Sequence, residues 1–175
     1  GDFTNEVLNS KDIIGDAYEI GIPMGSDLIL EEDQSPSFFI WAAKDPSKTS
    51  LQRIQIIKGW VEDGEGKEEV IDVACSDGLS VDPDTNRCPD NGATVDLTNC
   101  EITPDKGAKE LSVVWRDNNF SQDQRAFYYV RVLENPTCRW STYDAIRAGV
   151  QPRPGMKATI QDRAWSSPIW YQPNT

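Results

Sequence analysis

The chain contains no histidine in 175 residues. Histidine is the usual general base at neutral pH, the commonest metal ligand and the side chain that titrates closest to neutrality. Its absence excludes a Ser-His-Asp or Cys-His nucleophile, an ordinary zinc centre and any His-based acid–base pair among these residues. Positive charge is also scarce: 17 Lys and Arg stand against 29 Asp and Glu, a formal net charge of -12. Coulomb repulsion then opposes nucleic acid and anionic membrane surfaces, so no nucleic-acid partner is expected. No apolar run approaches the roughly 18 residues of a membrane span, so no membrane insertion is expected. The opening Gly-Asp-Phe-Thr has none of the basic, apolar and small-residue regions of an export signal, as in a mature protein or an excised piece of one. A GxSxG elbow, a phosphate-cradling glycine loop and a Rossmann fingerprint are missing too.

What the sequence does have is period-two patterning. Residues 37–43 (SFFIWAA), 53–61 (RIQIIKGWV), 69–74 (EVIDVA), 111–116 (LSVVWR) and 126–133 (AFYYVRVL) are rich in β-branched and aromatic side chains and read as strands. Turn chemistry bounds them: Asp45-Pro46 follows the first, Asp63 to Gly66 (DGEG) joins the second to the third as a hairpin, and Asp117-Asn118-Asn119 follows the fourth. Shorter candidates are 18–22, 93–97 and 169–171. Seven or eight short strands without long helices between them predict a mainly β fold, an antiparallel β-sandwich of Ig-like or jelly-roll-like type, or a partly closed barrel. Residues 1–175 read as one such domain. Two short helices interrupt it. A capping box at Ser141 with Asp144 begins one, which Gly149 ends before Pro152 and Pro154; Thr4 caps a single turn over 3–8.

Four cysteines, Cys75, Cys88, Cys100 and Cys138, lack the tight pairs of a zinc ribbon and contain no CxxC, so they read as two disulfides. Three pairings are open, and each bridge would add about 3 kcal/mol. An oxidising compartment, periplasmic or extracellular, follows. Three of the cysteines fall in or beside a long irregular insertion, residues 76–104, crowded with Asp and Asn. Its Asp82, Asp84 and Asn86, with Asp90 nearby, begin a calcium-loop pattern of alternating oxygen ligands. The pattern then fails, since Arg87 stands where glycine is needed and Ala93 where the bidentate glutamate would be. The expectation is a solvated turn, with no cofactor and no metal; calcium at those four residues is the alternative.

Six tryptophans are the remaining chemical signal. Trp41, Trp60 and Trp115 lie inside alternating strands and read as core. Arg139 with Trp140, and Arg163 with Trp165, lie in less regular sequence; together with Trp170 they are the candidate ligand or domain-interface residues, although a guanidinium stacked on an indole is equally a structural pair. With 29 acidic residues, chance carboxylate pairs are everywhere and none marks a catalytic acid. No catalytic residue is assigned.

Residues 52–78 (QRIQIIKGWVEDGEGKEEVIDVACSDG), 125–149 (RAFYYVRVLENPTCRWSTYDAIRAG) and 159–171 (TIQDRAWSSPIWY), with GIPMGSDL at 21–28, resemble the C-terminal part of a large bacterial family, domain of unknown function 3604. The resemblance covers nearly the whole chain. It implies a secreted or lipid-anchored protein whose larger N-terminal part is similar to the polymerase and histidinol phosphatase (PHP) class of metal-dependent hydrolases. That class binds metal through motifs such as H-x-H, and nothing in this sequence matches them. The chain would then be a non-catalytic accessory C-terminal domain, with the metallohydrolase-like part of the same polypeptide as its partner. An independent glycan- or cell-surface-binding module using Trp140 and Trp165 is a second reading, and a carboxylate-based hydrolase a third. The resemblance also implies that the cysteines are local stabilisers, since other members carry Trp or Pro at some of these positions.

Overall fold

The computed structural model describes residues 1–173; the last two residues of the expected 1–175 domain lie outside the described residues. In chain order the elements are a 3-10 turn Asn5–Asn9, α1 Ile13–Ile20, β1 Asp27–Leu28, β2 Ser37–Ala43, β3 Leu51–Glu62, β4 Glu65–Cys75, β5 Glu110–Arg116, β6 Ala126–Glu134, β7 Thr137–Cys138, α2 Trp140–Ala148, β8 Thr159–Ile160, β9 Arg163–Trp165 and β10 Ile169–Tyr171. Among the described residues the fold is mainly β, in several open sheets, none of which closes into a barrel. The largest has six strands in the order β1-β10-β6-β3-β4, with β9 beside β6; β2 pairs with β5, and β7 with β8. Among the described residues every strand pairing is antiparallel except β1 with β10.

The β3–β4 hairpin turns on Asp63 and Gly64 alone. Both have positive φ, 53° and 80°, as a two-residue turn matched to strand twist requires. Alternation then sorts the side chains. Ile54 and Ile56 from β3, Ala126 and Tyr128 from β6, and Phe38 and Ile40 from β2 form one buried cluster, so the β2–β5 ribbon and the six-stranded sheet share a core. Truncating Ile54 or Ile56, both fully buried, would cost about 2–5 kcal/mol. A smaller cluster joins Leu28, Leu30 and Tyr171.

Four sequence expectations need correction. Residues 18–22 are not a strand: Asp12 accepts a hydrogen bond from the Gly15 amide at 3.1 Å and caps α1, to which Tyr18 belongs. Residues 93–97 contribute only an isolated bridge, Val95 to Ile102, flanked by the Thr103 amide donating to the Thr94 carbonyl and the Asp96 amide donating to the Glu101 carbonyl. Ser141 is no cap; α2 starts one residue earlier behind Arg139, without a side-chain cap, although Gly149 does end it in the left-handed conformation. Thr4 stands at the start of the N-terminal turn but makes no capping bond through its side chain.

The insertion is irregular, as expected, yet well anchored. Cys75 pairs with Cys88 and Cys100 with Cys138, which selects one of the three pairings. The second bridge ties the insertion to β7. Asn91, almost fully buried, is the hub: its amide nitrogen donates to Asn135, Asp77 and Ser76, and its oxygen accepts from Gln52. Asp72 on β4, also buried, accepts from Arg53 at 3.1 Å, Gln55 at 2.6 Å and the Cys88 amide at 2.8 Å. A buried carboxylate needs that many donors to offset its lost hydration.

Candidate interaction site

The N-terminal third carries apolar side chains that the core does not absorb. No residue of α1 is buried, and Ile14, Tyr18, Ile20, Ile22 and Met24 are all exposed, Tyr18 by 66 %. The helix instead forms one wall of a groove of about 520 Å³. Ile14, Ala17 and Tyr18 line that wall, Ile22, Pro23 and Met24 continue it, and Phe39 and Trp41 of β2 and Trp165 of β9 also face the space. Ile40, Ile56, Tyr128, Val130 and Val132 contribute to its lining from the sheets. Among the described residues none of the lining side chains is charged; Ser37, Ser166 and Ser167 are the polar ones besides three tyrosines and Trp41 and Trp165. Contiguous exposed apolar surface of this kind on a folded domain marks an interaction surface.

Trp41, expected in the core, is here an exposed groove residue. The strand alternation that sends Phe38 and Ile40 inward turns it out, and its indole N–H donates to Glu110 at 3.3 Å. Trp60 and Trp115 are half-buried and pack against the main core. The five candidate interface residues do not converge. Trp165 lies at the groove, 59 % exposed, with Arg163 two residues before it on β9. Trp140 is 70 % exposed at the first turn of α2, while Arg139 donates to the Lys157 carbonyl. Trp170 lines a different cleft. The cation-π contacts among the described residues are those of Lys58 with Trp60 and Tyr128, not of Arg139 or Arg163.

Beneath the groove floor lies a charge pair the sequence reading missed. Lys58 and Asp117 meet at 2.6 Å, and the Tyr128 hydroxyl donates to the same Asp117 oxygen at 2.7 Å. Burial, then the hydrogen bond to Asp117, pushes the Tyr128 phenol well above the usual tyrosine range. The available signal was the alternation itself: Ile54, Ile56, Lys58 and Trp60 occupy alternate positions of one strand, so a lysine there lies on the apolar side.

In the insertion, Asp82 accepts from the Asp84 and Thr85 amides, Asp90 accepts from the Gly92 amide, and Asn86 takes a positive φ of 54°. Among the described residues no group of three or more Asp, Glu, Cys or His is arranged to hold a metal ion. Asp77 is held below the ordinary carboxylate range: burial raises it, and donation from Ser76, the Gly107 amide and Asn91 outweighs that. Among the described residues no helix is long and apolar enough to cross a membrane. Two disulfides suit an oxidising compartment.

The profile of a family described as "Protein of unknown function (DUF3604)" matches residues 1–173. No curated protein and no solved structure matches the chain.

Proposed function

Since the chain belongs to the DUF3604 family, we propose that it is a non-catalytic accessory domain, the C-terminal β part of a larger polypeptide. Its partner is a PHP-like, metal-dependent hydrolase-type domain of the same polypeptide. The apolar groove between α1, β2 and β9 carries this reading, because its walls, with no charged side chain among the described residues, suit packing against another protein surface. The β2–β5 ribbon over the six-stranded sheet then serves as a two-layer sandwich that holds the groove rigid. The polypeptide works in the periplasm or outside the cell, where the two disulfides persist, either free or lipid-anchored.

The test begins with the coding sequence upstream of Gly1, which should encode histidine-rich metal motifs. In the longer polypeptide, Ile14→Asp with Tyr18→Asp should lower the thermal midpoint of the hydrolase-like part and its turnover of a phosphoester panel. Unchanged stability and turnover, or an upstream sequence without such motifs, would overturn the reading.

A further inference from the structure

A second surface, lined by none of the groove residues, lies across the six-stranded sheet. Asp27, Trp170, Phe127, Gly59 and Glu68 are successive register partners on β1, β10, β6, β3 and β4. Direct partners project from the same face of a sheet, so two aromatic rings and a bare glycine sit in one row between two carboxylates. Gly59 makes the row shallow: a Cβ there would fall 2.3 Å from Phe127 Cζ, so the phenyl ring lies over the glycine backbone. Phe127 and Trp170 are 5.3 Å apart, and Trp170 is 46 % exposed. Tyr129, two residues along β6 and itself part of the groove lining rather than of this cleft, holds its ring within 9° of the Phe127 plane. Lys67, Glu68 and Arg125, all exposed, border the cleft of about 580 Å³ over this row.

We propose that this face binds a neutral saccharide, with pyranose rings laid on Phe127 and Trp170 and their hydroxyls bonded by Glu68 and Arg125. The composition of the face selects that ligand. Flat apolar rings ringed by both donors and acceptors match a molecule with C–H faces and a hydroxyl rim. A polyanion is opposed by the net charge of -12. A quaternary ammonium would want a cage of rings facing inward, and the cationic Arg125 stands beside this open row. The inference does not depend on the groove, so either can fail alone.

Calorimetric titration of the purified chain with cellohexaose, xylohexaose and mannohexaose tests it. At least one should bind, with little dependence on salt. Trp170→Ala should weaken that binding roughly tenfold, Glu68→Gln should weaken it with the fold intact by circular dichroism, and Trp140→Ala should leave it unchanged. Three outcomes would overturn the proposal: no heat from any of the sugars at millimolar concentration, binding insensitive to both Trp170→Ala and Glu68→Gln, or a dimer in solution whose interface buries Trp170. Saturable binding of tetramethylammonium in place of the sugars would also overturn it.

Discussion

Lys58 Nζ lies 2.6 Å from Asp117 Oδ2, with 6 % and 4 % of the two side chains exposed. The lysine also donates to the Asn119 carbonyl at 3.2 Å, and the Asn119 amide donates to Asp117. This group of bonds fixes the end of β5 to the middle of β3. Lys58→Met should cost about 3–5 kcal/mol, because it leaves a buried carboxylate with its charge uncompensated. Lys58→Met with Asp117→Asn removes both charges and should recover part of that loss. Urea denaturation of the three proteins measures it, and a single variant as stable as the parent would contradict the pairing.

Gly107 has a φ of 83°, and a Cβ there would fall 2.6 Å from Ser50 Cβ and 2.8 Å from the Leu51 carbonyl oxygen. Its amide also donates to both oxygens of Asp77 at 3.0 Å. Backbone strain and overlap with rigid neighbours add, so Gly107→Ala should cost about 3 kcal/mol or more. Gly78→Ala, with open space around it but a φ of 69°, should cost less. Equal losses in thermal denaturation would remove the steric argument.

The two disulfides close chain separations of 13 and 38 residues. The loop-entropy relation gives about 3 kcal/mol for the first and about 4 kcal/mol for the second. Replacing Cys100 and Cys138 by serine should therefore destabilise more than replacing Cys75 and Cys88. Guanidinium titration ranks them; the reverse order would show that strain or residual structure outweighs loop length.

Glu134 is raised above the ordinary glutamate range, first by burial and then by the Asp162 carboxylate, and its Oε2 has no hydrogen-bond partner. A carboxyl raised in the fold contributes stability below the unfolded value of about 4.5 and loses it as pH rises through the folded value. At pH 7 its charge therefore opposes folding. Glu134→Gln should raise the melting temperature near pH 7, with the gain shrinking towards pH 4. A gain that grows on acidification would reverse the sign.

One carboxylate oxygen of Asp82 accepts from both the Asp84 and the Thr85 amides, which closes a turn at the start of the calcium pattern. The melting temperature should be the same in calcium and in EGTA. A rise of several degrees with calcium would return Asp82, Asp84, Asn86 and Asp90 to the position of ligands.

Much of the sheet was legible because alternation and turn chemistry are local. Ser37–Ala43 and Ile169–Tyr171 have the expected bounds, and Asp63-Gly64 makes the hairpin. What local pattern misjudged was burial and capping. Tyr18 to Ile22 alternates like a strand, yet Asp12 starts a helix before it. Trp41 reads as core, but strand parity turns it outward. The disulfide pairing, the Asn91 hub and the row from Asp27 to Glu68 all join residues far apart in sequence. Register between strands creates them, and no single segment encodes that. The insertion was visible as cysteine- and aspartate-rich, but the use of its carboxylates and amides as internal ties was not.

Hydrogen–deuterium exchange on this chain alone and within the longer polypeptide shows whether a neighbouring domain covers the groove. If it does, exchange is slower in the longer form across Ile13–Ile20, Ser37–Ala43 and Arg163–Trp165, with little change in α2. Identical exchange over the three groove segments would contradict that covering.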